Sequence, residues 1–193
     1  MSRRAIFWLA VLGALVAAVL VTAPWVDRAV KETVTLPLRH DDIIRQQARE
    51  KSLDPALIAA VIYSESHFRD NQRSSAGAIG LMQVTPGTAQ DIARKSGATS
   101  FRIADLDDPQ VNIAYGSYQL RYLLERYGDN EVLAVAAYNA GEGNVDKWLV
   151  DASVNDRRFK AREIPFTETR HYVERVMDAR AQYEREYRKE LGL

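Results

Sequence analysis

The apolar residues of this chain recur at helical rather than strand spacing over most of its length. Three Asp-Pro or Thr-Pro pairs stand directly before such stretches, at Asp54-Pro55, Thr85-Pro86 and Asp108-Pro109. Each pair is a helix-start signal, because its first residue can cap free backbone N–H groups and the fixed φ of proline suits a first turn. The helices predicted from these signals cover residues 56–68, 87–97 and 110–128.

Two further helices are predicted, over residues 131–139 and 168–189. The second has an apolar face made by residues three or four positions apart, namely Tyr172, Val176, Ala179, Tyr183 and Tyr187. No segment shows the strict two-residue alternation of a half-buried strand. The pattern therefore predicts a mainly α-helical domain, with boundaries at residues 40–190.

The N-terminal segment differs from the rest because residues 5–24 contain no charged side chain. At about 1.5 Å per residue, roughly twenty helical residues span the ~30 Å hydrocarbon core of a bilayer. Arg3 and Arg4 precede this run, and the positive-inside tendency would leave them in the cytoplasm. We therefore expect residues 1–24 to be a cytoplasmic stub and a transmembrane anchor, with a long signal peptide cleaved after Ala23 as the alternative. Residues 25–39 are predicted to be a poorly ordered tether.

Composition excludes several classes of function. Lysine plus arginine equals aspartate plus glutamate, 26 against 26, so no partner nucleic acid is indicated. The absence of cysteine excludes disulfides, thiolate metal sites and cysteine nucleophiles. The three histidines are far apart and form no two-ligand motif. We expect neither a metal nor a cofactor.

Glu65 is the residue whose position has chemical interest. Residues 56–63 are apolar on nearly every side of the predicted helix, which indicates burial, and Glu65 follows them near the helix end. Desolvation and the negative end of the helix dipole both raise the pKa of a carboxyl group there. A general acid that works at neutral pH needs such a shift. By position alone, an ordinary solvated surface glutamate is the simpler interpretation.

Four sequence blocks favour the catalytic interpretation of Glu65 over the surface one. They are Glu65-Ser66; Ser74 followed by GAIGLMQ at 77–83; AYNAG at 137–141; and IPF with ETRHYV at 164–166 and 168–173. In this order they resemble the catalytic domain of the soluble-type lytic transglycosylases, in the lysozyme-like superfamily. Glycines 77 and 80 are suited to positive φ or to close approach of the backbone to a sugar. Glu142 departs from the resemblance, since the family often has proline after AYNAG.

The resemblance implies a lysozyme-like fold and peptidoglycan glycan strands as the substrate. Glu65 would be the catalytic residue, and Tyr138 would face it and hydrogen-bond it or the substrate. The implied substrate-binding residues are Ser74, Met82, Gln83, Tyr138, Asn139 and Tyr172. From spacing alone, Tyr138 and Tyr172 are more simply core residues and Ser74 a loop residue.

A second catalytic carboxylate, which most glycoside hydrolases use, is not evident in the sequence. The resemblance implies a lytic transglycosylase, in which Glu65 acts first as acid and then as base and the product ends are 1,6-anhydro-MurNAc. Two alternatives remain: a goose-type lysozyme-like hydrolase, and a non-catalytic scaffold that binds peptidoglycan. With the anchor at residues 5–24, we expect a single-pass inner-membrane protein whose catalytic domain lies in the periplasm. An envelope assembly is a possible partner, of unknown identity.

Overall fold

The computed structural model describes residues 35–154 and 161–193, which form helices joined by short loops and, in this part of the chain, no β-strand. The mainly helical class is thus confirmed. The helices are α1 (Asp41–Lys51), α2 (Pro55–Ser66), α3 (Pro86–Ser96), α4 (Pro109–Arg126), α5 (Glu131–Ala140), α6 (Glu142–Val154), α7 (Thr167–Glu186) and α8 (Arg188–Leu191), with 3-10 turns at Ile103–Asp107 and Ala161–Glu163.

The three proline-marked helix starts are confirmed. Asp54, Thr85 and Asp108 each occupy the N-cap position, and each side chain accepts a hydrogen bond from the backbone N–H of the second or third helical residue. The predicted helix at residues 131–139 is present as α5, and the predicted helix at 168–189 corresponds to α7 and α8.

Two helices, α1 and α6, lack the signals used for prediction. The N-cap of α1 is His40, which has a left-handed φ of 55° and makes no side-chain capping bond. Glu142 begins α6 directly after Gly141, which ends α5 with a φ of 83°. Because only one residue separates the two helices, the sequence there suggests a closing turn rather than a new helix.

Helix α2 forms the centre of the core, as its apolar sequence predicts. Residues 56–62 are all buried, at 1% exposure or less. The main partner of α2 is α7, and α1 packs on it as well. Residues on every side of α2 are therefore removed from water, and its C-terminal end carries Glu65 to the edge of this core.

An ion-pair group holds the start of α2. The guanidinium of Arg180 on α7 lies 2.5 Å from a carboxylate oxygen of Asp54, the N-cap of α2, and 2.5 Å from one of Glu131, at the start of α5. One arginine thus ties the first turns of two helices to α7. This fixes the position of α2 along α7.

The compact unit begins at Leu36, four residues before the predicted boundary at residue 40. Leu36 is buried, and its carbonyl accepts a hydrogen bond from the hydroxyl of Tyr187. The carbonyl of Pro37 accepts one of 2.6 Å from Tyr183. These contacts attach the last residues of the predicted tether to α7. The unit ends at Leu193, and Leu191 is also buried.

The predicted anchor at residues 5–24 and most of the predicted tether lie outside the described residues. Within residues 35–154 and 161–193, no helix is long and apolar enough to cross a bilayer.

Candidate active site

Glu65 is the penultimate residue of α2, at the end of its buried stretch. The hydroxyl of the next residue, Ser66, is buried and donates to the carbonyl of Ile62. His67 and Phe68 then have left-handed φ values of 52° and 59°, which end the helix. The Phe68 ring is 1% exposed, so it anchors this turn in the core. The turn holds Glu65 at the edge of the core.

Burial raises the pKa of Glu65 to about 7. Two neighbours oppose the shift without cancelling it: a hydrogen bond from Tyr172 and the positive charge of Arg175 both favour the carboxylate. At neutral pH the carboxyl therefore holds its proton in roughly half of the molecules. This is the protonation behaviour that the sequence predicts for a general acid at this position.

Tyr172 is the direct partner of Glu65. It lies on α7, is 2% exposed, and its hydroxyl donates a hydrogen bond of 2.6 Å to Glu65 Oε1. Burial and the charge of Glu65 raise the pKa of Tyr172 well above its usual range, so the phenol stays neutral and remains a donor. The sequence suggested only packing or cleft lining for this residue.

Arg175 was not predicted from the sequence. Its guanidinium carbon lies 5.9 Å from the centre of the Tyr172 ring, one helical turn further along α7. The sequence feature that could have indicated it is its spacing of three residues from Tyr172, which puts both side chains on one face of the helix.

Tyr138, on α5, lies close to Glu65 but does not hydrogen-bond it. Its hydroxyl donates to the carbonyl of Met82 at 2.8 Å, whereas the resemblance implied a bond to the glutamate or the substrate. Burial and the charge of Glu65 raise the pKa of Tyr138 well above its usual range. Its role toward Glu65 is therefore that of a neutral neighbour whose hydroxyl hydrogen is already committed.

The loop before α3 contains the predicted positive-φ glycines, Gly77 at 80° and Gly80 at 76°. Glycine is also required at position 80 for space, since a Cβ there would lie 2.2 Å from Nδ2 of Asn112. The close approach predicted for this backbone is thus to a protein side chain, and no sugar is needed to explain it.

Asn112, on α4, fixes this loop and was not predicted from the sequence. Its side chain is buried, and Nδ2 donates to the carbonyls of Ile79 and Leu106 at 2.8 and 2.9 Å. Its Oδ1 accepts from the backbone N–H of Met82 at 2.9 Å. The signal that was available is an asparagine between apolar residues of a predicted helix, where a buried amide needs partners.

Gly116, one turn after Asn112, makes room for the Met82 side chain, whose sulfur would lie 2.5 Å from a Cβ at this position. Met82 is 0% exposed. The resemblance implied that Met82 binds substrate, but its side chain has no exposed surface with which to contact a sugar. Met82 is a core residue whose backbone groups bind Asn112 and Tyr138.

Ser74 and Gln83 are half-buried and use their polar atoms within the loop. The hydroxyl oxygen of Ser74 accepts from the backbone N–H of Ala78 at 3.0 Å. Nε2 of Gln83 donates to the carbonyls of Gln72 and Gly80 at 3.2 and 2.8 Å. Both residues thus shape the loop whatever else they contact.

Asn139 is exposed at the end of α5, next to Tyr138. Its Oδ1 accepts a hydrogen bond of 2.8 Å from the hydroxyl of Thr169. The bond orients the amide group, and its nitrogen makes no hydrogen bond to the residues that the structure describes.

A cavity of about 290 Å³ lies beside these residues. Two predicted site residues, Gln83 and Tyr138, line it, together with polar side chains that include Gln119, Thr88, Asp91 and Glu142. A larger cavity of about 420 Å³, between the end of α1 and α4, contains none of the predicted site residues. The described residues contain no group of three or more His, Asp or Glu side chains placed to hold a metal ion.

The sequence matches a family model described as the transglycosylase SLT domain over residues 42–159. It is 33% identical to the soluble lytic murein transglycosylase of Salmonella typhimurium over 171 residues, which cover 82% of this chain and 26% of that protein. It is 32% identical to membrane-bound lytic murein transglycosylase C of Actinobacillus pleuropneumoniae, covering 73% of this chain and 44% of that one.

The fold is similar to a crystal structure of an inactive mutant of lytic transglycosylase Slt from Pseudomonas aeruginosa. The TM-score is 0.71 with 35% sequence identity, over 78% of this chain and 25% of that one. The chain spans about a quarter of the length of these larger relatives. The similarity covers most of the described domain.

Proposed function

The chain belongs to the transglycosylase SLT domain family, and from this we propose that it is a lytic transglycosylase that cleaves the MurNAc–GlcNAc β-1,4 bonds of peptidoglycan. The observation that carries the proposal is Glu65, a half-buried carboxyl group whose pKa is about 7 and which accepts a hydrogen bond from Tyr172. A general acid with this pKa is half protonated at the pH at which it must work. Relatives named as lytic murein transglycosylases support the same activity.

In the first step Glu65 acts as the acid. Because Oε1 accepts the hydrogen bond of Tyr172, the acidic proton is carried by Oε2. Oε2–H protonates the bridging oxygen as its bond to C1 of MurNAc breaks, and the bonding electron pair leaves with the GlcNAc oxygen. The 2-acetamido oxygen of the substrate stabilises the positive charge that develops at C1.

In the second step the Glu65 carboxylate acts as the base. It removes the proton from the C6 hydroxyl of the same MurNAc, whose oxygen bonds to C1 and closes the 1,6-anhydro ring. The carboxyl group is protonated again and no water is consumed. Between the two steps the hydrogen bond from Tyr172 stabilises the carboxylate. General acid catalysis of this kind contributes about 10²–10⁴ in rate.

The predicted binding residues take roles that fit their placement. The amide nitrogen of Asn139 donates to the glycan, and the hydroxyl oxygen of Tyr138, whose hydrogen is engaged, accepts from it. Ser74 and Gln83 contribute mainly by shaping the loop beside Glu65. No step of this chemistry requires a cofactor or a metal.

The test is digestion of purified sacculi with the full chain, followed by mass spectrometry of the soluble products. We expect 1,6-anhydro ends, and no activity in Glu65→Gln, while the control Glu174→Gln, which alters an exposed carboxylate on α7, stays active. Products with hydrated reducing ends alone would assign a lysozyme-like hydrolase instead. Binding to sacculi without any product would assign a non-catalytic scaffold.

We further propose that residues 5–24 anchor the chain in the inner membrane and place the catalytic domain in the periplasm. The uncharged length of this segment and the arginines before it support the proposal, as does a relative whose name describes it as membrane-bound. In fractionated cells the chain should stay with the membranes after alkaline carbonate extraction. In intact spheroplasts, added protease should cleave it. A mature chain that begins at Pro24 would show that the segment is a cleaved signal peptide.

A further inference from the structure

The cavity lined by Gln83 and Tyr138 contains acidic side chains and no basic one among the described residues. Its lining contains two carboxylates, Asp91 on α3 and Glu142 on α6, and no lysine or arginine among the described residues. It also contains Gln83 and Tyr138, two residues of the proposed substrate-binding set, and Tyr138 lies close to Glu65. A substrate bound at Glu65 that extends along this cavity therefore meets negative charge.

Glu142 is held in place at this cavity. The hydroxyl of Tyr122 donates to Glu142 Oε2 at 3.0 Å, and Nε of Arg126 lies 3.5 Å from the same oxygen. Oε1 accepts no hydrogen bond from any residue in the described ranges. The side chain is thus oriented through one oxygen while the other is available to a ligand.

The negative charge of Glu142 is not cancelled by its arginine. Arg126 also pairs with Asp146, and that contact is shorter, at 2.6 Å. The group formed by Arg126, Asp146 and Glu142 therefore carries a net charge of −1. Asp91, by contrast, is paired with Arg94 at the exposed surface, so of the two lining carboxylates Glu142 is the one that shares its arginine with a second acidic side chain.

These charges select among the groups that a peptidoglycan substrate can present. A free carboxylate is repelled, a hydroxyl group gains one neutral hydrogen bond, and a protonated amine gains a charge-assisted one, which is about twice as strong. Because Glu142 is fixed before the ligand arrives, little side-chain entropy is lost on binding. Among these groups the amine gains most.

We propose that Glu142 makes this cavity select glycan substrates that carry a protonated primary amine next to the cleaved disaccharide. The inference rests on the proposed lytic transglycosylase function and names a substrate preference of that site. The amine has two sources in peptidoglycan chemistry: an N-deacetylated glucosamine of the strand, or the free amine of a diamino acid in the stem peptide. The electrostatic recognition is the same for both.

The test compares three matched glycan fragments with the full chain: one with both amines acetylated, one with a free glucosamine amine, and one with a free peptide amine. We expect kcat/KM for one of the two amine-bearing fragments to exceed that of the fully acetylated fragment about fivefold. The fragment that is preferred shows whether the recognised amine belongs to the glycan strand or to the stem peptide. In Glu142→Gln, an isosteric variant that still accepts from Tyr122, the ratio should fall to about one. The control Glu125→Gln changes a carboxylate on α4 that lines the other cavity, so it should keep the preference.

Equal kcat/KM values for all three fragments, or an equal preference in Glu142→Gln, would overturn the inference. Calorimetric binding of the same fragments to Glu65→Gln, alone and combined with Glu142→Gln, gives a readout that does not need turnover. Cleavage without amine preference contradicts this inference alone. Amine-selective binding by a chain that cleaves no fragment contradicts the proposed function and supports the selection.

Discussion

The hydroxyl of Tyr172 lies 2.6 Å from Oε1 of Glu65 and joins α7 to the last turn of α2. This bond favours the charged carboxylate, while burial of the same group favours the protonated form. The pKa of about 7 is the balance of these opposing effects, with burial the larger. A change to either one should move the pH dependence of activity in a direction that follows from the structure.

Tyr172→Phe should raise the pKa of Glu65 above about 7, because it removes a donor to the carboxylate and leaves the burial in place. The free enzyme needs Glu65 protonated, so the fall of kcat/KM at high pH should move upward by roughly half a unit to one unit. Tyr183→Phe, on the same helix, is the control, since that hydroxyl donates to the carbonyl of Pro37. A fall at unchanged or lower pH in Tyr172→Phe would contradict the assignment.

The part of this site that could be predicted from sequence is the part determined locally. Glu65 follows a continuous apolar run of its own helix, and this local pattern was enough to predict a position at the edge of the core and a raised pKa. The capped helix starts are likewise short-range, because a side chain and a backbone N–H two or three residues later make each of them.

Contacts between distant segments could not be predicted in this way. Asn112 binds a loop some thirty residues earlier, and Tyr172 reaches Glu65 across more than a hundred residues. Nothing in the pattern around Met82 shows that Gly116 makes space for it in the core. Such pairings depend on how helices pack, which helical periodicity alone does not determine.

Glu65→Gln should stabilise the fold at high pH. Between the ordinary pKa of 4.5 and the folded value of about 7, the folded chain binds more protons than the unfolded chain, so its stability falls as pH rises through this window. The free energy of unfolding falls by about 3 kcal/mol over this window, at about 1.36 kcal/mol per pKa unit. The glutamine side chain of the variant does not titrate, so its free energy of unfolding relative to wild type should be greater at pH 8 than at pH 4.5 by about this amount.

Urea unfolding of the full chain at these two pH values measures the effect. Glu174→Gln, at an exposed position, is the control and should show little pH-dependent difference from wild type. If the relative stability of Glu65→Gln were the same at both pH values, the carboxyl group would have its ordinary pKa in the fold. The proposed acid would then lack its proton at neutral pH.

Asn112→Ala should disrupt the loop beside Glu65. The change leaves the carbonyls of Ile79 and Leu106 and the N–H of Met82 without their side-chain partner in a buried region. Each buried unsatisfied group costs about 1–3 kcal/mol, so we expect a loss of roughly 3 kcal/mol in the free energy of unfolding. Gln110→Ala, at an exposed position of the same helix, should cost much less. Comparable urea midpoints for the two variants would contradict the role of Asn112.

Arg175→Gln should raise the pKa of Glu65 by removing a positive charge that favours the carboxylate. Arg175 is exposed, so its effect on the pKa of Glu65 is screened by salt, unlike that of the direct, part-buried hydrogen bond from Tyr172. In wild type, raising the ionic strength from about 0.05 M to about 1 M, where the Debye length is about 3 Å, should therefore move the fall of kcat/KM to higher pH.

The same addition of salt should move the fall of kcat/KM less in Arg175→Gln, because the screened charge is already absent. Tyr172→Phe should keep the full salt response, since Arg175 is still present. Arg185→Gln, at an exposed position further along α7, is the matched control and should respond as wild type does. An identical salt response in Arg175→Gln and wild type would show that the pKa of Glu65 is set by burial and Tyr172 without a contribution from this charge.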